Sequence, residues 1–296
     1  MWIPITLAAA TFQILRTARQ HELRSVLSTA AAGFVRYAYG APLAILLSVL
    51  LFGVLGRDLP DVTGRFWPII AIAGVGQIVG TLALLQSFKL RDFAVGTVYS
   101  KTEVLIVAVL GLFGLDALLT LTGWVGAVLV TIGVVWLASR GSLLGLLRRA
   151  GDPAALMGLL AAAGFAGAAV GIGEASRSLG DAPSFDRAVL TLTVLLVFQT
   201  VLNAGWFVAR DPAEIVRTFH AWRPAMWVGA FSLLGSIGWA WGFTLESAAK
   251  VRTLGQVELL IAFVVANVTL GERHSRSDYT ASALVLAGVV VVTVFG

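Results

Sequence analysis

Cysteine is absent from the 296 residues. Disulfides, thiolate metal centres and cysteine nucleophiles are therefore excluded. Histidine is scarce: His21, His220 and His274 are scattered, with no metal-ligand spacing. A Gly-rich phosphate loop ending in Lys-Ser/Thr is also missing, so the sequence offers no means of hydrolysing ATP. Charge is the most telling shortage. Only 12% of residues are charged and 58% are hydrophobic, with a mean hydropathy of +0.90. A soluble domain carries about 25% charged residues, so this chain cannot cover its surface with polar groups and its solvent must be largely lipid. The pI of about 10.1 invites a nucleic-acid reading. The basic residues fall between apolar runs, without a basic stripe interleaved with aromatics, and no nucleic-acid partner is expected.

What the chain has is long apolar runs. A spanning helix needs about 20 mostly apolar residues. Runs 66–88, 117–139, 154–173, 188–209 and 224–245 meet that without a charge, and 37–56 does so while extending back through Arg36 to about residue 26. The run 279–296 is just long enough, and the N-terminal run is completed if Arg16 snorkels. The absence of a basic region ahead of that first run makes it a retained helix rather than a secretory signal. Two more candidates, 93–115 and 248–270, are interrupted by charges. The expectation is an all-α membrane protein of ten transmembrane helices with short loops.

The polar stretch "RGSLLGLLRRAGDP" divides the chain into five helices at 1–140, a connection at 141–153, and five helices at 154–296. Shifting the sequence by about 155 residues aligns 71–135 with 226–290 without a gap. Gly74 meets Gly229, Gly80 meets Gly235, Phe88 meets Phe243, and Glu103 meets Glu258. A repeated glutamate inside an apolar helix is far more specific than repeated Ala or Val. Five helices per repeat is an odd number, so the second repeat must enter the membrane in the opposite sense. Such inverted repeats are common in secondary transporters.

With these features the chain resembles the drug/metabolite transporter superfamily, in its EamA-like ten-helix branch. The clearest marker is "TLGERHSRSDYTASALVLAGVV", a helix closing on Gly-Glu-Arg, a polar turn, then a Gly-containing last helix. A degraded first-half copy, "GLDALLTLTGWVGAVLVTIGVV", places Asp116 near the acidic position. The resemblance implies solute movement by alternating access, often export of metabolites, in the bacterial inner membrane. It also implies a central cavity lined by the third, fourth and eighth helices, to which the repeat adds the ninth, around 248–270. Members of the family often have proline early in the fourth and ninth helices, where this chain has "KTE" and "QVE".

Glu103 and Glu258 each lie about ten residues into their predicted helices, near the middle of a core about 30 Å thick. An intramembrane acid faces the bundle interior or a wet cavity and marks a pathway by default. The functional reading is substrate binding or proton carriage; the structural one is a buried pair with Arg36, Lys101 or Arg252. Lys101 and Glu103 point about 200° apart on a continuous helix, so Lys101 is free to reach across to Glu258. Gln256 shares a face with Arg252. Arg36 on the second helix is either a substrate contact or a partner packed against an acid; Lys101, Gln256, Gln77, Tyr99, Trp239 and Trp241 complete the candidate substrate-binding or coupling set, and Glu272 and Arg273 of the closing motif are assigned a gating or structural role. Gly76/Gly80 and Gly167/Gly171 have the spacing that lets helices approach closely.

The expected function is secondary transport of a small polar or amphipathic metabolite, proton-coupled export among the options, with a facilitative uniporter or importer as the alternative. A non-transporting assembly or lipid-handling protein is a third reading. An enzyme is not expected, because the sequence offers neither a paired-His site nor a Ser–His arrangement, and no cofactor or metal is called for. The expected partners are the lipid bilayer and a small-molecule solute, with the chain a monomer or weak homodimer. Loops after the odd-numbered helices hold thirteen cations, from Arg16 to Arg276, against four (Arg57, Arg65, Arg177 and Arg187) in the others. The positive-inside rule therefore places both termini outside the cytoplasm, whereas members of the family more often keep them inside.

Overall fold

The computed structural model describes residues 1–23, 26–90, 99–138, 151–261 and 276–296, and the regular structure among them is helical, with no strand. In chain order the helices are α1 (Trp2–Leu23), α2 (Thr29–Ala38), α3 (Gly40–Ser48) ending in a π-helical turn (Val49–Val54), α4 (Phe66–Leu90), α5 (Glu103–Leu112), α6 (Leu121–Ala138), α7 (Pro153–Arg177), α8 (Ser184–Arg210), α9 (Pro212–His220), α10 (Trp222–Leu245), α11 (Ala248–Gly255) and α12 (Arg276–Phe295). Among the described residues, six stretches are long and apolar enough to cross a membrane: Thr29–Val54, Phe66–Ser87, Pro153–Arg177, Ser184–Arg210, Trp222–Leu245 and Arg276–Phe295. Leu46, Ile72, Phe113, Leu121 and Trp227 are each at least 55% exposed. A water-soluble surface rarely displays that much large apolar side chain; the chain is an integral membrane protein whose solvent is acyl chain.

The helices differ from the sequence expectation in several places, among them the following. Residues 212–220, read as loop, form α9; Pro212 opens it, where a missing N–H costs nothing, and its buried face is Glu214 and Thr218 rather than an apolar stripe. The expected continuous span 93–115 is interrupted at 101–102 and closes at Leu112, ahead of Gly114 in a left-handed conformation at φ 73°. The expected span 117–139 starts only at Leu121, where the Thr120 hydroxyl caps the N–H of Gly123 at 3.0 Å. Helix boundaries recur at the sequence shift. Moved by 155 residues, 66–90 becomes 221–245, against Trp222–Leu245 for α10, and 29–54 becomes 184–209, against Ser184–Arg210 for α8.

The chain divides into two compact units, each drawing on both sequence halves: Met1–Ile78 with Gly171–Leu245, and Val79–Val170 with Glu246–Gly296. In the first unit α1 lies along α10, and α8 packs against α2, α3 and α10. Its core joins Leu23, Leu27, Phe34, Val35, Phe207 and Val228. Close approach is set by glycine: a Cβ on Gly229 would lie 2.5 Å from that of Tyr39.

In the second unit α6 and α12 form the tightest pair. A Cβ on Gly126 would meet the Gly288 carbonyl oxygen at 2.8 Å, and one on Gly133 would meet that of Ala281 at 2.9 Å. The shift carries 126 to 281 and 133 to 288, so this helix pair repeats its own contact. A Cβ on Gly288 would lie 2.7 Å from backbone atoms of Gly126 and Val130. Gly288→Val is therefore expected to force the helices apart at a cost of about 1–3 kcal/mol or more, read as a lower melting temperature in detergent; an unchanged value would contradict the close packing.

Candidate functional site

In the second unit, two helical stretches are interrupted, at 101–102 and at 256. The Thr102 N–H bonds to the Tyr99 carbonyl at 3.2 Å, and that of Leu105 to the Thr102 carbonyl at 3.0 Å. These three-residue bonds replace the four-residue ladder, and the Thr102 hydroxyl donates to the same Tyr99 carbonyl at 2.7 Å. The second break has the same form: Gln256 bonds back to Thr253 at 3.2 Å and Leu259 to Gln256 at 3.1 Å. Tightened turns inside a helix mark hinges and strained places. Both breaks occupy the positions where the sequence reads "KTE" and "QVE". Each is made without proline, with the Thr102 hydroxyl bonding back to the Tyr99 carbonyl at the first.

Each break places a glutamate in the first turn of the segment that follows. Glu103 opens α5, and Glu258 lies in helical residues 257–261. A helix N-terminus carries partial positive charge and favours a carboxylate there. Glu103 is 5% exposed and Glu258 9%, so each needs a partner. The partners are crossed. Lys101 Nζ donates to Glu258 Oε1, and Arg252 pairs with Glu103 Oε1 at 3.7 Å. Each acid is thus held by a cation from the other broken run. Lys101 and Glu103, two residues apart, do not pair with one another. Gln256 is buried beside them; its amide donates weakly to the Arg252 carbonyl at 3.5 Å and its own Oε1 has no partner among the described residues. Asp116 Oδ2 accepts from the Ala249 N–H at 3.2 Å and so fixes the start of α11. Tyr99 packs against Ala154 and Ala155.

Lys101, Glu103, Gln256 and Glu258 are therefore brought together, with Arg252 completing the set. The remaining described candidates lie in the first unit. Gln77 accepts from Gln199 Nε2 at 2.8 Å, which also donates to the Gly74 carbonyl at 3.2 Å. The Trp239 indole donates to Gln13 at 3.0 Å and that of Trp241 to Ser184 at 3.0 Å, so both tryptophans hold helices together. Arg36 is buried in α2, its guanidinium 5.0 Å from the Tyr37 ring centroid. Glu272 and Arg273 lie outside the described residues. Gln199, fully buried, was missed in the sequence; the available signal was the lone glutamine in an otherwise apolar run.

No family model matches the chain. A curated relative, "Uncharacterized transporter in cobO 3'region" of Sinorhizobium sp, is 30% identical over 78 residues, 26% of this chain and 55% of that protein. The chain thus spans about half the length of the curated relative it matches. A solved structure described as "Crystal structure of protein" superposes with a TM-score of 0.71 over 99% of this chain and 97% of that chain, at 15% identity. That likeness shows a shared fold.

Proposed function

We propose that the chain is a secondary transporter, a carrier rather than an enzyme, that moves a small polar or amphipathic solute across the bacterial inner membrane by alternating access. The observation that carries this reading is the pair of crossed, buried ion pairs at two helix breaks related by the 155-residue shift. Discontinuous helices in corresponding halves are where transporters of this type place their working groups. The recurrent helix boundaries and the self-repeating α6–α12 contact support the ten-helix inverted repeat and the EamA-like assignment. The relative called a transporter supports the general class.

In the proposed cycle Glu103 and Glu258 are the exchanging groups. A proton or the solute neutralises a carboxylate and releases its cation. The two broken runs, no longer tied, are then free to pivot at 101–102 and 256. Restoring both ion pairs returns the starting state. Uniport uses the same residues with solute alone as the releasing agent. A thermal-shift screen of metabolites on purified protein, followed by liposome uptake of each hit, tests the reading; saturable uptake supports it, and its absence for every stabilising hit sinks it.

Orientation is a separate expectation. The loops rich in arginine, including residues 210–223, should face the cytoplasm. The cysteine-free chain makes this simple to check. In intact cells an impermeant maleimide should label Asp181→Cys, and label Asp211→Cys only after permeabilisation. The reverse pattern would put the termini inside.

A further inference from the structure

Arg36 stands apart from the other buried cations. It is 7% exposed, in a helix whose residues 31 to 38 are all buried. Among the described residues it forms no ion pair or hydrogen bond, and its Nε is buried without a partner. Its one contact of this kind is the face of Tyr37. By contrast, Lys101 and Arg252 each hold a carboxylate. A buried, uncompensated guanidinium is among the costliest groups a membrane helix can carry. One helical turn to either side are Ala32, Gly33 and Gly40, so small residues leave that part of the helix uncluttered.

The helices packed on α2 have the same character. Among the described residues, Thr191 Oγ1 and Gln199 Oε1 on α8 and Ser232 Oγ on α10 are buried without partners. Gly40 meets Leu196 of α8, and Phe34 meets Phe207. Along the chain Arg36 falls between these two contacts, on a different face of α2 from Phe34. The shift of 155 carries Arg36 to Thr191, so the cation has no counterpart in the other half. Arg36 is thus a buried cation with no carboxylate partner among the described residues, in a unit whose helices also carry buried polar atoms with unused hydrogen-bonding capacity.

We infer that Arg36 recognises an anionic group on the transported solute, a carboxylate or a phosphate. A guanidinium binds either with two parallel hydrogen bonds. The inference rests on the transporter reading and narrows its solute class to organic anions or amphoteric solutes. Recognition would supply the charge that the empty state lacks, which is how a binding residue comes to be kept at a cost in stability.

The test is thermal unfolding of the purified full chain in detergent at constant ionic strength, with benzoate, inorganic phosphate and neutral benzamide as probes. Benzoate or phosphate should raise the wild-type melting temperature saturably by about 2–4 °C near saturation, and benzamide should not. Arg36→Met should melt higher than wild type without anion, because a buried charge has gone, and should lose the response; Arg36→Lys should keep part of it. A lower anion-free melting temperature for Arg36→Met, an equal anion response in wild type and Arg36→Met, or a wild type indifferent to both anions would each overturn the inference. An Arg36-dependent response in a protein that shows no counterflow would remove the transporter reading and leave the anion site standing.

Discussion

Replacing Lys101 by Met should destabilise the protein by about 3–5 kcal/mol, the usual cost of removing one member of a buried ion pair. Glu258 would be left 9% exposed with its cation gone. The double variant Lys101→Met with Glu258→Leu should recover most of that loss, because no charge then remains unpaired and the apolar side chains fill similar volume. Detergent unfolding of the four proteins in this cycle reads the coupling directly. Additive losses would mean that the two side chains do not act as a unit.

The second large effect concerns transport. Glu103→Gln and Glu258→Gln should each leave a folded protein, because a glutamine carbonyl still accepts a hydrogen bond from Arg252 or Lys101. Neither amide can carry a proton or release its cation on neutralisation. Uptake of a screened solute driven by a pH gradient should therefore fall about tenfold or more, a change worth roughly 1.4 kcal/mol at the least. Solute binding should survive at least in part, since an amide still offers an acceptor. Gradient-driven uptake at wild-type rates in both variants would rule out the exchange role. Normal uptake with reduced melting temperature would make the crossed pairs a purely structural clasp.

How much of this was legible in the sequence depends on the kind of signal. The apolar runs mark the membrane helices, because a stretch of about 20 residues without charge is seldom anything but a span. The Glu103–Glu258 correspondence was legible because a charge in an apolar helix is rare enough for its repetition to count. The helix breaks were hidden. Proline would have announced them; here the breaks rest on tightened turns around Thr102 and Gln256, residue types that also occur in unbroken helices. The pairing of Glu103 with Arg252 was equally hidden, as sequence spacing gives no means of choosing among Arg36, Lys101 and Arg252. Helix α9 escaped because its buried face is polar: Glu214 accepts from Ser28 at 3.1 Å and from Arg217 at 2.6 Å. Apolar periodicity cannot detect a helix anchored in that way. Trp239 and Trp241 are candidate ligand contacts by position, and that each indole N–H donates to a side chain of a neighbouring helix was not legible from spacing.

The central claim is that the chain itself moves a solute, and counterflow tests it most directly. Purified protein is reconstituted into liposomes loaded with an excess of an unlabelled solute that raises its melting temperature, and a trace of the labelled form is added outside. A carrier should give a transient accumulation of label above equilibrium, saturable in the internal solute and absent from empty liposomes. Label that only equilibrates, or enters equally in liposomes without protein, would contradict the account.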